Sequence, residues 1–238
     1  MATNVGEWKV RPHGTIEKLA SNLWRVSGAV PGMTLRRTMA IARRDDGGLV
    51  IHSAIALDEP SMTELETWGK PAVLLVPSAY HRLDAPAYKQ RYPGVRIYTP
   101  RGSRAKVETR VAVDGTYDDF AGDDAVTLER LAGVNDVEGV MIVRSADGTT
   151  VVMNDAVFNM DRKRDLFGFL FTTVMGSAPG PRVSRLFKAA AVKDKKAMRA
   201  DLERLAAIPD LVRLIVAHEK VASGADAAAA LRRAAGYL

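Results

Sequence analysis

Residues 49–76 read LVIHSAIALDEPSMTELETWGKPAVLLV and contain the pattern that decides the fold. The β-favouring run LVI at its start is followed by Met62, Leu65 and Trp68, whose spacing of three predicts an amphipathic helix. The apolar run AVLLV at its end is typical of a strand that is covered on both faces. Strand, helix and buried strand in this order predict an α/β fold.

The rest of the chain extends this pattern in both directions. Residues 14–57 predict three antiparallel strands separated by turns, and residues 85–99 predict a second helix and strand. The further predicted elements are strands at 107–113 and 125–131, a hairpin at 139–153, helices at 166–175, 182–191 and 195–207, a strand at 212–217 and a helix at 225–235.

Composition limits the kinds of site that the chain can hold. The 238 residues include no cysteine, which excludes disulfides and thiolate metal clusters, so a metal site must use His, Asp or Glu. No apolar stretch approaches the ~20 residues that span a bilayer, and the first residues have no signal-peptide core, so we expect a cytoplasmic protein.

The net charge of +6 is concentrated in one segment, because residues 161–204 contain eleven Lys and Arg but only five Asp and Glu. A solvated helix surface is the ordinary interpretation of such an excess, and an anionic partner is the alternative. The charge alone does not support nucleic-acid binding.

Three of the four histidines follow apolar strands. His52 and His218 stand directly after such runs, His81 lies five residues beyond another, and Asp155 follows a fourth. Ligand-binding groups collect beyond the carboxyl ends of strands in α/β sheets, and imidazole with carboxylate suits a divalent cation. A histidine that only makes structural hydrogen bonds is the alternative at each position.

The order of four segments resembles the metallo-β-lactamase superfamily. They are LVIHS (49–53), SAYHRLD (78–84), NDAVFN (154–159) and IVAH (215–218). More narrowly, the sequence is similar to a mostly bacterial and plant branch of that superfamily with a degenerate metal motif. The resemblance implies a four-layer αββα sandwich with mixed sheets, one domain over residues 1–238 and a helical insert at about 160–207.

The first metal motif of that superfamily is Thr-His-x-His-x-Asp-His, and SAYHRLD retains one of its three histidines. The resemblance implies that His81, Asp155 and His218 are the metal ligands, and that Asp84 and Asp136 are accessory ones. His52, Tyr80 and Arg82 would line the crevice without binding the metal. The resemblance further implies a single Zn, Mn or Fe ion, or none, in place of the usual pair.

The apolar run LFGFLF (166–171) begins the insert. It predicts a buried helix or a lid over the site rather than a membrane contact. Basic and aromatic side chains would then bind an anionic substrate, or a second copy of the chain; these are Arg162, Lys163, Arg164, Phe167, Phe169 and Phe171.

Two functions therefore remain open. One is a metal-dependent hydrolase of an ester, amide or phosphoester with a depleted site, whose substrate and catalytic residues the sequence does not identify. The other is a non-catalytic binding protein that has kept the crevice and lost the metal.

Overall fold

Seven strands form the first sheet in chain order, because each connection returns the chain to the neighbouring strand. The structure is a computed structural model that describes residues 6–238. The strands are β1 (Glu17–Ala20), β2 (Leu23–Ala29), β3 (Arg36–Arg43), β4 (Gly48–His52), β5 (Lys70–Leu75), β6 (Arg96–Thr99) and β7 (Gly115–Thr116). Strands β1 to β4 pair antiparallel, and β4 to β7 pair parallel.

The second sheet has five strands in the order β12-β11-β10-β9-β8. They are β8 (Val126–Arg130), β9 (Gly139–Ser145), β10 (Gly148–Val152), β11 (Leu211–Ile215) and β12 (Ala222–Ser223). Only β10 and β11 pair in parallel.

Among the described residues there are seven α-helices. They are α1 (Glu59–Trp68), α2 (Ala85–Arg91), α3 (Arg104–Glu108), α4 (Leu166–Phe169), α5 (Arg185–Ala190), α6 (Lys195–Ala206) and α7 (Ala225–Ala235). Helices α1 to α3 pack on the first sheet and α5 to α7 on the second. A π-helical turn, Leu170–Val174, continues α4.

The alternation of side chains along each strand produces the layers. In β4, Leu49 and Ile51 pack against the helices, whereas Val50 packs towards the second sheet. A separate core lies between the second sheet and α5, α6 and α7. This arrangement of helix, sheet, sheet and helix confirms the predicted mixed α/β sandwich, and its treatment as one domain stays a prediction.

Two element predictions are wrong. Residues 14–57 form four strands instead of three, because Glu17–Ala20 turns back to pair with β2. Residues 107–113 form the end of α3 and a turn instead of a strand. The Val111 N–H donates to the Val107 carbonyl (3.2 Å), which is the i to i+4 hydrogen bond of a helix and cannot form within a strand.

Candidate metal centre

The candidate site lies where parallel strands of the two sheets end. His52 ends β4, His81 lies in the loop after β5, Asp155 follows β10 and His218 follows β11. Two hydrogen bonds join these ends across the sheets: Thr38 N–H donates to the Ala217 carbonyl (2.8 Å), and the Asn154 amide donates to Ser78 Oγ (3.2 Å). The shared edge therefore brings together side chains that are far apart in the sequence.

Three of the predicted residues meet at one point. Asp155 Oδ2 lies 3.2 Å from His81 Nε2, and Asp155 Oδ1 lies 3.3 Å from His218 Nε2. One potential ligand atom from each residue lies within 4.8 Å of the other two. The structure thus gathers His81, Asp155 and His218, while the binding of a metal by them stays a prediction.

The other nitrogen of each ring is already engaged. His218 Nδ1 lies 2.8 Å from the Arg36 carbonyl oxygen. Because a carbonyl only accepts, Nδ1 carries a proton, and Nε2 of the neutral ring presents a lone pair to Asp155. His81 Nδ1 contacts Ser53 Oγ at 3.0 Å, so its Nε2 is also directed at the carboxylate.

The centre attracts positive charge. Burial alone would raise the pKa of Asp155, but His81 and His218 outweigh it and hold that pKa well below its ordinary value of 3.8. Burial lowers the pKa of His218, yet the Asp155 carboxylate and the Arg36 carbonyl raise it above 6.5 overall. A lone pair that faces a carboxylate is repulsive unless a proton or a metal ion lies between them.

The donor set fits a metal. Asp155 Oδ1 is buried and accepts no hydrogen bond. Two imidazole nitrogens and one carboxylate oxygen are the three protein ligands that catalytic zinc sites use, with a fourth position left open.

Comparison with solved structures places this geometry in a known fold. A metallo-β-lactamase from Pontibacter korlensis matches over 94% of this chain and 99% of its own, with a TM-score of 0.58 and 14% identity. One from Hirschia baltica matches over 92% of this chain and 97% of its own, with a TM-score of 0.60 and 12% identity. The chain has the metallo-β-lactamase fold.

A third structure with the metallo-β-lactamase fold is FIM-1 from Pseudomonas aeruginosa in its mono-zinc form. It matches over 97% of this chain and 98% of its own, with a TM-score of 0.62 and 11% identity. No protein-family model and no curated protein matches the sequence. At these identities the likeness establishes the fold and leaves the activity open.

Asp84 does not join the centre of this metallo-β-lactamase fold. Its Oδ1 accepts from Arg11 (3.1 Å), and its Oδ2 accepts from Arg37 and from the Ala56 N–H (3.1 Å). Asp84 is buried and outside the group of ligand atoms. These three donors occupy its carboxylate, so the accessory role expected for Asp84 does not fit the structure.

Asp136 also lies outside the group of ligand atoms. Its side chain is partly exposed and 4.0 Å from Arg130, and its backbone has a φ of 52°, which directs the chain into a turn. The accessory role expected for Asp136 therefore does not fit the structure either.

The sequence analysis missed Glu138, which is buried beside the centre. Its carboxylate accepts from the N–H groups of Asp155 (2.8 Å) and Ala156 (2.9 Å) and from the Asn154 amide (3.4 Å). Burial and the nearby Asp155 carboxylate raise the pKa of Glu138. The only signal in the sequence is an acidic residue placed directly before the apolar strand β9.

The three residues that were expected to line the crevice, His52, Tyr80 and Arg82, differ in their burial and in their contacts. His52 is buried, and its Nε2 has no hydrogen-bond partner. Its pKa is lowered to about 3, mainly by burial and to a smaller extent by repulsion from His81. Tyr80 is 85% exposed. Arg82 donates to the Lys106 carbonyl and to Thr109 Oγ1 (3.0 Å), which directs its guanidinium towards α3.

Backbone strain marks two of these strand ends. Ser53 and Glu219 have φ values of 57° and 67°, and each directly follows a histidine of the crevice. Non-glycine residues rarely adopt this conformation, and they do so most often at functional sites.

The insert contacts the centre through one aromatic ring. Phe171 lies 6.0 Å from the His218 ring, measured between centroids, and Phe158 stacks on His218 at 5.6 Å. Phe167 and Phe169 are 62% and 49% exposed, so the prediction of a buried helix is wrong, and the lid over the site stays a prediction. Phe171 and Thr172 follow the buried Gly168 by three and four residues, so they lie on its side of the helix, whereas Phe167 and Phe169 do not.

The three basic residues at the start of the insert also differ in their exposure and in their ion pairs. Lys163 forms an ion pair with Glu219. Arg162 and Arg164 are exposed, and neither lies within 4.0 Å of a carboxylate in the described residues.

Proposed function

We propose that the chain is a metal-dependent hydrolase that uses one divalent cation. His81, Asp155 and His218 would hold it, and water or substrate would take the remaining position. The observation that carries this proposal is the approach of two imidazole Nε2 atoms to a single half-buried carboxylate, at 3.2 and 3.3 Å.

The cation, when bound, would supply a Lewis acid for an ester, amide or phosphoester and would lower the pKa of a water molecule towards ~7. The protein prepares the ligands for this role. The Arg36 carbonyl fixes the tautomer of His218, and Ser53 holds the His81 ring. Phe158 and Phe171 pack around His218 and limit the access of water to that side.

The neighbouring side chains support one cation rather than two. Asp84 is bound by two arginines and a backbone N–H. Ala79 and Leu83 have no ligand atom in their side chains. Within residues 6–238, the group of His81, Asp155 and His218 is the one set of three ligands close enough for a metal.

The types of ligand atom also indicate which metals the site would prefer. Two nitrogens and one oxygen favour zinc, and manganese or iron would follow if water or substrate added further oxygens. An anionic substrate is compatible with the unpaired guanidinium groups of Arg162 and Arg164.

A metal-free binding protein is the second candidate, and one observation favours it. The two nitrogen–oxygen distances, 3.2 and 3.3 Å, are also those of ion pairs. Protonated imidazoles would then balance Asp155 without a metal, which the raised pKa of His218 permits.

Metal analysis of protein purified without chelators distinguishes the two candidates. We expect about one equivalent of zinc, manganese or iron in the native chain and none in a His81→Ala, His218→Ala double variant. His13→Ala is the matched control, because His13 bonds to Gly14 and Asp58 and is not one of the three grouped ligands. Activity is then measured on ester, amide and phosphoester substrates.

Metal-free protein whose melting temperature does not rise on adding these ions would overturn the hydrolase proposal. A ligand of the folded state must raise apparent stability, so an unchanged melting temperature means that no metal binds.

A further inference from the structure

The start of the insert is a helix with its apolar side outwards. The inward positions are Gly168 and Thr172, and Thr172 Oγ1 donates to the Gly168 carbonyl (2.6 Å). Five large apolar side chains within nine residues face solvent, with exposed fractions of 79, 62, 49, 43 and 52% for Leu166, Phe167, Phe169, Leu170 and Val174. We call these five residues the apolar face.

Specific contacts hold the helix in this orientation. Asp165 accepts from the Gly168 N–H (2.9 Å) and from Thr34 Oγ1 (2.6 Å), so it caps the helix and ties it to the β2–β3 turn. A Cβ atom on Gly168 would lie 2.3 Å from Lys163 Cβ, so the inner side fits closely against the chain. Phe171 adds its contact with Phe158.

The surroundings of the apolar face carry excess positive charge. Nearby acidic groups are already engaged: Asp161 with Lys220 (2.7 Å), Glu219 with Lys163, and Asp165 as the helix cap. Arg162 and Arg164 remain exposed and without an ion-pair partner among the described residues. Positive charge beside exposed Leu and Phe is the pattern of segments that lie in the membrane interface.

We propose that the apolar face docks on an anionic lipid bilayer. Leu166, Phe167 and Phe169 would enter the boundary between headgroups and acyl chains, and Arg162 and Arg164 would meet lipid phosphates. No helix of residues 6–238 is long and apolar enough to cross a bilayer, so this contact is peripheral.

Two features favour lipid over a second copy of the chain. Five side chains that are only 43–79% exposed present less area than the ~800 Å² per partner of a stable protein interface. The centre of a protein interface is depleted of charge, whereas here two unpaired arginines stand four and two residues before Leu166.

Vesicle flotation tests the proposal. We expect the native chain to float with phosphatidylcholine vesicles that contain about one-third phosphatidylserine, and not with pure phosphatidylcholine. High salt should release it, because screening weakens the arginine contacts.

Two double variants separate the contribution of the apolar side chains to vesicle binding from that of the arginines. Phe167→Ser with Phe169→Ser should abolish flotation. Arg162→Gln with Arg164→Gln should weaken binding about 30-fold, or about fivefold for each charge. Matched controls that should bind normally are Val10→Ser, at an exposed apolar residue elsewhere, and Arg199→Gln with Arg233→Gln, at exposed arginines of α6 and α7.

Three results would overturn the proposal. They are no flotation of the native chain, equal losses in the control variants, and a concentration-dependent dimer in sedimentation experiments that the phenylalanine variant dissociates. The last would assign the apolar face to a second copy. The test does not depend on metal content, so its failure leaves the hydrolase proposal standing.

Discussion

Asp84 and Asp155 are buried or half-buried carboxylates that begin from similar positions and end in different chemistry. Both follow strands at the same edge of the fold, but Asp84 faces two arginines and Asp155 faces two histidines. Arginine keeps its charge at any working pH, so Arg11 and Arg37 always neutralise the Asp84 carboxylate, which therefore does not bind another cation. Histidine releases its proton near neutrality, so the Asp155 group can exchange protons for a metal.

The largest expected effect comes from removing the Asp84 carboxylate, which is the ion-pair partner of Arg37. Asp84→Ala leaves the buried guanidinium of Arg37 without a counter-charge, and we expect it to lower the free energy of unfolding by about 3–5 kcal/mol. Chemical denaturation measures this loss, with Asp124→Ala as the control at an exposed aspartate. A loss below about 1 kcal/mol would show that Asp84 is not the structural partner described above.

The next effect concerns metal affinity. Asp155→Asn removes the negative charge from the centre, and we expect metal affinity to fall by more than about 100-fold, beyond what loss of a supporting hydrogen bond causes. Competition with a chelator of known affinity measures it. Asp84→Asn is the control, because Asp84 lies outside the ligand group. Equal losses in both variants would contradict the distinction between the two carboxylates.

Glu138 offers a smaller perturbation of the same centre. In Glu138→Gln, the amide nitrogen would face the N–H of Asp155 or Ala156, so one acceptor of the loop is lost. We expect a fall in metal affinity of about 10–100-fold, as for other groups that orient a ligand. Glu203→Gln, at an exposed glutamate of α6, is the control. Unchanged affinity would mean that Asp155 keeps its position without Glu138.

Much of the fold could be predicted because it depends on local patterns. Residues 49–76 determine β4, α1 and β5 through the periods of their apolar residues. The prediction failed at 107–113, where valines suggested a strand although the Val111 N–H bonds to the Val107 carbonyl as in a helix. Propensity is a weak guide when a few core contacts decide the conformation.

Part of the candidate metal centre could also be predicted from local patterns in the sequence. His81, Asp155 and His218 each follow an apolar strand, and parallel strands end at a common edge. Asp84 could not be assigned correctly, because its partner Arg37 is 47 residues away in sequence. Glu138 acts through backbone N–H groups, which leave no mark in the sequence of their own residues.

The insert shows a further limit. The hydrophobicity of residues 166–171 indicates a helix, but it does not say which side of that helix faces the protein. The contacts of Asp165 with Thr34, of Gly168 with Lys163 and of Phe171 with Phe158 set that orientation.

The smallest expected effect is a pH dependence of the metal-free chain. The folded pKa of His218 is raised above 6.5, because Asp155 and the Arg36 carbonyl outweigh burial. Below the unfolded pKa the ring is protonated in both states, and its ion pair contributes fully to stability. As the pH rises through the folded pKa, that contribution is lost, at a slope of at most about 1.4 kcal/mol per pH unit for one proton.

Denaturation of the metal-free chain from about pH 6 to about pH 8 measures this loss as the difference between the native sequence and His218→Gln. We expect the difference to shrink as the pH rises. Added metal should reverse the direction for the native chain, because the cation replaces the proton and binds more tightly as the pH increases. A difference that grows with pH in the metal-free chain would mean that Asp155 and His218 are not ion-paired, and the exchange of proton for metal would lose its physical basis.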